Sequence, residues 1–394
     1  MPIRNRFAEM MPELTEWRRD LHAHPELGFD CHRTAGIVAE KLRAFGCDEV
    51  HEGIGVTGIV ALIHGRQRDS GRVIGLRADM DALPIHEATG LPYASTRHGK
   101  MHACGHDGHS TMLLGAAQYL AETRHFNGTV ALIFQPAEEG GAGAKVMCDT
   151  GLMDRFDIAE VYAMHNRPGH PLGEFNIRAG AFYAACDEFR ITIEGQGGHA
   201  AKPHMTFDPT LAASHVILAL QSIASRNADP TENIVLSVCG VRSDSEAFNV
   251  IPQRVALRGT IRTHDAGLRA LAEQRLHAIT TSTAQAFGAE AEIEFLDGYP
   301  VMVNHHDQTE IARQVALDVS GQCLEAGYNM GGEDFGYMLE ERPGAYIVLG
   351  AGAGAGPGLH HPEYDFNDEI MPYGCSWFVG IAENRLALAP DNPA

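Results

Sequence analysis

The stretch MHACGHDGHS, residues 101–110, puts one cysteine and three histidines into ten positions of a chain that has eight cysteines in all. A hydrophobic core has no need of them, since imidazole is only intermediate in burial and must be hydrogen-bonded when it is inside. Two chemistries do need them: metal ligation, and an activated thiol nucleophile. Cys104 and His106 stand two apart, so in an extended loop both side chains point the same way. Other polar residues follow apolar runs. Asp79-Met80-Asp81 follows VIGLRA, Glu138-Glu139 follows ALIFQPA, His165 follows EVYAM, and His360-His361 follows YIVLG and a glycine-rich stretch. Aspartate, glutamate, histidine and thiolate all ligate zinc or manganese-like ions, and carboxylates among the donors suggest an open catalytic centre rather than a closed structural one. Neighbouring side chains of an extended backbone diverge, so one of Glu138 and Glu139 can bind metal while the other faces the bound water as general base. Singly, each residue has an ordinary explanation: a solvated glutamate pair, a satisfied buried histidine, a small buried thiol, an aspartate opening a turn. Their joint position after successive strands favours a metal site.

The elements that must hold them are legible in the hydrophobic pattern. VTGIVALIHG, GRVIGLRADMD, GTVALIFQPAEE, IAEVYAMHN and GAYIVLGAG read as buried strands. STMLLGAAQYLAETRH reads as a helix with Ser110 as N-cap, and CSWFVGIAENRLALA as a final helix. Strands alternating with helices predict an α/β domain with a mostly parallel sheet and helices on both faces, in which ligands bind at the carboxyl ends of the strands. Between residues 184 and 298 the order is instead β-α-β-β-α-β, the ferredoxin-like unit with helices on one face of an antiparallel sheet. The expected division is a discontinuous domain, 1–183 with 299–394, and an inserted domain, 184–298. GAGAGAGPG, 350–358, reads as a mobile loop.

Composition narrows the function. A net charge of −21, from 51 acidic and 30 basic side chains spread along the chain, repels nucleic acid and anionic membrane and makes a local cation necessary for any anionic substrate. The first residues lack a secretory apolar segment and no run is long enough to span a membrane, so a soluble cytoplasmic protein is expected. The cysteines show no paired spacing and read as reduced thiols. In the inserted domain the glycines of GQGGHAAKPH let a loop approach a ligand, and His199 there could donate to an oxyanion. Asn249 and Arg262 flank the segment FNVIPQRVALRGTIR, and Arg262 is the kind of cation an anionic substrate requires.

In order along the chain, MHACGHDGHS, FQPAEEG, MHN, GGHAAKPH, NVIP with GTIR, GGEDF and LHHPEYDFND resemble the metal-dependent N-acyl-amino-acid amidohydrolases. These include hippurate hydrolases, aminoacylases and plant auxin-conjugate hydrolases, and are related to carboxypeptidase G and other two-metal exopeptidases. The resemblance implies hydrolysis of N-acyl amino acids to a carboxylic acid and a free amino acid. It implies Cys104, His106, Glu139, His165 and His360 as metal ligands, Glu138 as general base and Asp81 as the residue that orients the ligands. His360 rather than His361 matches the motif Leu-His-x-Pro, a choice that side-chain chemistry leaves open. Asn249 and Arg262 match substrate-binding positions, and His199 a histidine of the lid domain that in relatives reaches the partner subunit's site. Also implied are two divalent ions per subunit, drawn from zinc, manganese, cobalt or nickel, and a homodimer or higher homo-oligomer. A thiolate among the ligands departs from most of the wider family. Alternatives are a dipeptidase or carboxypeptidase, a cysteine amidase using Cys104 as nucleophile, and a non-catalytic metal-binding protein.

Overall fold

The computed structural model describes residues 5–354 and 356–388. The chain divides into two compact units, Met1–Gly180 with Val303–Gly327 and Asp334–Ala394, and Ala181–Met302 with Tyr328–Glu333.

In the first unit the strands β1 (Glu49–Ile54), β2 (Gly58–His64), β3 (Val73–Asp79), β4 (Thr129–Gln135), β5 (Ile158–Arg167) and β6 (Phe175–Ile177) join Cys323–Glu325 and Gly344–Gly350. They form one sheet of eight, in the order β1, β2, β4, β3, β5, Gly344–Gly350, β6, Cys323–Glu325. The four central strands run parallel, from β4 through β3 and β5 to Gly344–Gly350. The first of the runs read as α/β strands, β2, is antiparallel to both neighbours, so the sheet is mixed at its flanks. Every residue of β4 and of Gly344–Gly350 is buried, as expected where helices cover both faces. Ile74, Leu76 and Ala78 of β3 pack into a cluster with α1 (Asn5–Ala23), α2 (His32–Phe45), α3 (His106–Thr123) and the helix Met371–Arg385. The alternate residue Arg77 points to the opposite face, where its guanidinium bonds Asp334.

Two helix starts differ from expectation. α3 begins at His106 behind Gly105, four residues before Ser110. Ser110 caps nothing; its hydroxyl donates to the Asp79 carbonyl at 2.7 Å. The first turn of α3 is polar yet buried, so it lacks the apolar stripe that marks a helix in a sequence. The final helix likewise starts at Met371 rather than at Cys375.

The second unit has its four long strands in the order Ile234–Ser243, Arg254–Thr263, Ala185–Glu194, Glu290–Tyr299, all antiparallel. Phe189, Ile191, Ile193, Val255, Leu257 and Ile261 alternate inward against the helices Pro209–Leu220 and Ala266–Ala286. Asp208 and Asp265 cap those helices through the backbone N–H of Thr210 and Leu268. Tyr328–Glu333 joins this unit through hydrogen bonds, Ala184 N–H to Asn329 O at 3.0 Å and Arg262 to Met330 O at 2.9 Å. All eight cysteines are free thiols. Among the described residues no helix is long and apolar enough to cross a membrane.

Glu160 of β5 is 6% exposed and binds Arg72 at 2.6 Å and Arg385 at 2.8 Å, with the Tyr162 hydroxyl at 2.7 Å. Burial opposes its charge, but the bonds from Arg385 and Tyr162 hold its pKa below the ordinary 4.5. A carboxylate with a depressed folded pKa stabilises above its unfolded pKa and loses that contribution as pH falls. Glu160→Gln should therefore lower stability at pH 7 by about 3 kcal/mol, leaving two arginines without their anion. Denaturation midpoints of variant and wild type should converge as the pH drops below about 4.5; a constant gap would contradict this account.

Candidate metal centre

The register of the parallel strands brings the ends of β3 and β4 to one edge, with Asp79 opposite Gln135. His165 lies within β5 opposite Val348, rather than beyond the end of its strand. Gly105 separates Cys104 from His106 with φ +94, and a Cβ there would come within 2.5 Å of Asn166 Oδ1. Only glycine fits this left-handed, crowded position. Cys104 and His106 therefore converge across a tight turn into α3 rather than along an extended loop.

The donor atoms of Cys104, His106 and His165 lie within 4.8 Å of one another, as do those of Cys104, Glu139 and His360, and those of His106, Glu138 and Glu139. All five expected ligands and the expected base thus form one interlocked cluster. His106 Nδ1 donates to the Asp81 carbonyl at 2.8 Å and His165 Nδ1 to the Asn166 carbonyl at 2.7 Å. Carbonyls only accept, so each ring carries a proton at Nδ1 and turns Nε2 toward the cluster, where that atom binds a cation once it holds no proton. His165 Nε2 is 3.3 Å from Cys104 Sγ. His106 Nε2 is buried and has no hydrogen-bond partner among the described residues. An orphaned buried nitrogen amid thiol and carboxylates fits a divalent cation.

Glu138 and Glu139 occupy a turn rather than an extended segment, and both carboxylates face the cluster. Asp81 holds that turn: its carboxylate accepts the N–H of Glu138 at 2.9 Å and of Glu139 at 3.0 Å. Ala137 just before it has φ +57, and His360 has φ +65; left-handed backbone outside glycine stores strain of about 1 kcal/mol or more. Asp81 is itself fixed through Ala82, whose N–H donates to the Glu26 carbonyl at 2.8 Å. The choice between the adjacent histidines is also geometric. His360 Nε2 lies 3.2 Å from Glu139, whereas the Nδ1 of His361 accepts the Glu363 N–H.

Charge in the cluster is set by mutual contact. Burial raises the Cys104 thiol. Burial would lower His106, but the Asp79 carboxylate and the Cys104 sulfur hold it well above its ordinary value. Burial and the neighbouring His109 push His165 far down, so its ring is neutral. Bonds to Cys104 and Glu139 lift His360 to about 10. Glu139 stays low despite burial, chiefly through its bond with His360.

Asp79, His106 and His109 also meet within 4.8 Å, but Asp79 and His109 are engaged elsewhere. Asp79 receives Arg77 at 2.7 Å and His109 at 2.6 Å, and the other ring nitrogen of His109 meets Asn166 Oδ1 at 2.7 Å. His109, without a role in the sequence reading, is thus a support beneath the cluster. His102 is fully buried, and burial brings its pKa down to about 4, so it is a neutral ring. The sequence reading missed Arg77, Gln135 and Asp334, which form the adjoining polar layer: Gln135 Nε2 donates to Asp334 at 2.8 Å. Only the acidic pair within GGEDF hinted at it.

The remaining candidates lie in the second unit. His199 pairs with Val250 on a short ribbon, Ala200 N–H reaches the Asn249 carbonyl at 3.0 Å, and both His199 and Asn249 are exposed. Arg262 is partly buried on its strand, with one guanidinium N–H on the Met330 carbonyl.

A mixed α/β sheet whose central strands and the turns beside them carry a cluster of thiol, imidazole and carboxylate defines a metallohydrolase class. Residues 75–384 match the model of peptidase family M20/M25/M40, and the chain belongs to that family. It is 41% identical to a hippurate hydrolase of Campylobacter jejuni over 96% of this chain and 98% of the relative. It is 39% identical to an N-acetyl-L-cysteine deacetylase of Bacillus subtilis over 94% of this chain and 87% of the relative. The crystal structure of the YXEP protein of Bacillus subtilis, described as a dinuclear metal-binding peptidase of family M20, superposes with TM-score 0.84 at 33% identity, covering 96% of this chain and 99% of that one.

Asp81→Asn replaces a double acceptor by an amide, which can serve only one of the two glutamate N–H groups. Metal affinity measured by chelator competition should fall about 10- to 100-fold, as for other losses of a residue that orients ligands. Unchanged affinity would show that the turn holds without Asp81.

Proposed function

We propose that the protein is a metal-dependent amidohydrolase that cleaves N-acyl amino acids into a carboxylic acid and a free amino acid. The observation that carries this reading is a sixth donor in the cluster: Glu138, which the resemblance matches to a base, faces the same point as Cys104, His106, Glu139, His165 and His360. A metal store has no use for a base, whereas hydrolysis needs one. The names of the Campylobacter and Bacillus relatives support the substrate class, and the dinuclear description of the YXEP protein supports two ions per chain.

Those five residues would hold the divalent cations, whose chemistry when bound would be to polarise the amide carbonyl and lower the pKa of water. In our reading the first unit is the catalytic domain, and zinc, manganese, cobalt or nickel would suit its mixed donors. Glu138 takes a proton from the attacking water as its oxygen bonds to the amide carbon. The same carboxyl then passes that proton to the leaving nitrogen as the C–N bond breaks, so water is consumed and acid and amine are released. Asp81 keeps Glu138 aimed by holding its backbone. His199 donates to the developing oxyanion, while Asn249 and Arg262 engage the substrate's free carboxylate.

Glu138→Gln should keep its metal and lose at least about 10²-fold in kcat, while Glu139→Gln should weaken metal binding. Wild-type activity should vanish with chelator and return with added divalent ion. Chelator-resistant turnover would point to Cys104 as nucleophile, and metal analysis giving the reverse order for the two glutamates would overturn the roles.

Substrate anchoring makes a separate claim. N-acyl amino acids should be hydrolysed at least about 10²-fold better in kcat/KM than their α-amides, because the amide leaves Arg262 unpaired. A panel of benzoyl, acetyl and indolyl conjugates assayed beside their amides tests this; equal rates for acid and amide would remove Arg262 from recognition.

A further inference from the structure

α1 lies far from the ligands in sequence, yet one of its side chains meets two of the segments that carry them. Arg18 is 0% exposed. Its NH1 group is 3.7 Å from the carboxylate of Asp107 and 3.4 Å from that of Asp365, and its Nε donates to Asp368 at 2.7 Å. Asp107 directly follows His106. Asp365 and Asp368 stand on the segment that begins with His360.

We propose that Arg18 is a positioning residue for the metal centre, setting the separation between the turn that bears Cys104 and His106 and the segment that bears His360. The inference rests on the ligand set proposed above. Three neighbours reinforce the grip. His22, one turn along α1, contacts the same Asp107 oxygen at 2.9 Å. Tyr93 lies under the guanidinium, 4.6 Å from its ring centroid, and donates its hydroxyl to Asp365 at 2.8 Å. Tyr364, beside Asp365, accepts from Asn166 at 2.7 Å, and the Asn166 carbonyl fixes the ring of His165.

The physical argument is one of buried charge. A guanidinium out of water costs several kcal/mol of desolvation, offset only while its carboxylates stay in contact. Moving either loop would leave charge buried without a partner, so the two loops are tied in one register. His360 N–H also bonds the Ala103 carbonyl at 2.7 Å, which orients one backbone against the other; Arg18 adds the long-range constraint. Lysine cannot replace it, because a point ammonium lacks the separate Nε and NH1 donors that address the two sides.

The test is metal affinity by chelator competition on folded protein, verified by circular dichroism at the assay temperature, with zinc as the probe. Arg18→Lys and Asp368→Asn should each weaken zinc binding about 10- to 100-fold, and Tyr93→Phe should weaken it less. Arg385→Lys, which disturbs the distant Glu160 ion pair, should lower the thermal midpoint and leave zinc affinity within about twofold, far below the effect on ligand positioning. If Arg18→Lys does not fold, Asp368→Asn decides. Reduced midpoints with unchanged zinc affinity in Arg18→Lys and Asp368→Asn, while Glu139→Gln still loses zinc, would make Arg18 a structural residue only. Unchanged affinity in Glu139→Gln would overturn the ligand set and this proposal with it.

Discussion

Asp81 meets two segments at once: its carboxylate takes the backbone N–H groups of Glu138 and Glu139, and its carbonyl takes Nδ1 of His106. That single residue aims a base, a ligand turn and an imidazole at the same point. The rest of the first unit can be understood as what holds Asp81 in place. β3 delivers it to the edge of the sheet, and the Glu26 carbonyl pins the following N–H. The Glu26 carboxylate in turn caps α2 through the N–H groups of Arg33 and Thr34. A pair of strained residues, Ala137 and His360, persists because these bonds over-determine the loops around them.

Beneath the cluster the protein buries an unusual amount of charge and matches it. Arg77 bonds Asp79, Gln135 and Asp334, and Asp334 also receives the N–H of Ala144. Burial alone would neutralise Asp79, but His106, His109 and Arg77 keep it ionised. An apolar layer there would be easier to stabilise. The polar layer instead fixes ring orientations, and orientation is what a catalytic metal site requires of its surroundings.

Part of the site was legible because its residues follow apolar runs, as Glu138, Glu139, His165 and His360 do, although His165 proves to lie within its strand. Cys104 and His106 were legible from the density of thiol and imidazole in MHACGHDGHS, and the family resemblance named all of them as ligands or base. The second unit's β-α-β-β-α-β order was legible because its alternation of inward and outward residues is regular. Local geometry was less legible. The glutamate pair sits in a turn and the cysteine and histidine flank a left-handed glycine, because hydrogen bonds from distant residues, and not local propensity, set those backbones.

Donor types, their order and the apolar runs that precede several of them are properties of the chain, because side-chain chemistry and hydrophobic period are local quantities. Three further matters belong to the tertiary structure. His360 and not His361 faces Glu139, since the turn at His360 is fixed by a bond to Ala103. His109 supports and does not ligate, since Asp79 and Asn166 occupy both its nitrogens. Arg18, on a helix with no ligand of its own, touches residues on two of the ligand segments. Each depends on a contact between residues far apart in sequence, and a buried polar group takes its role from whichever partner the fold brings within hydrogen-bond reach.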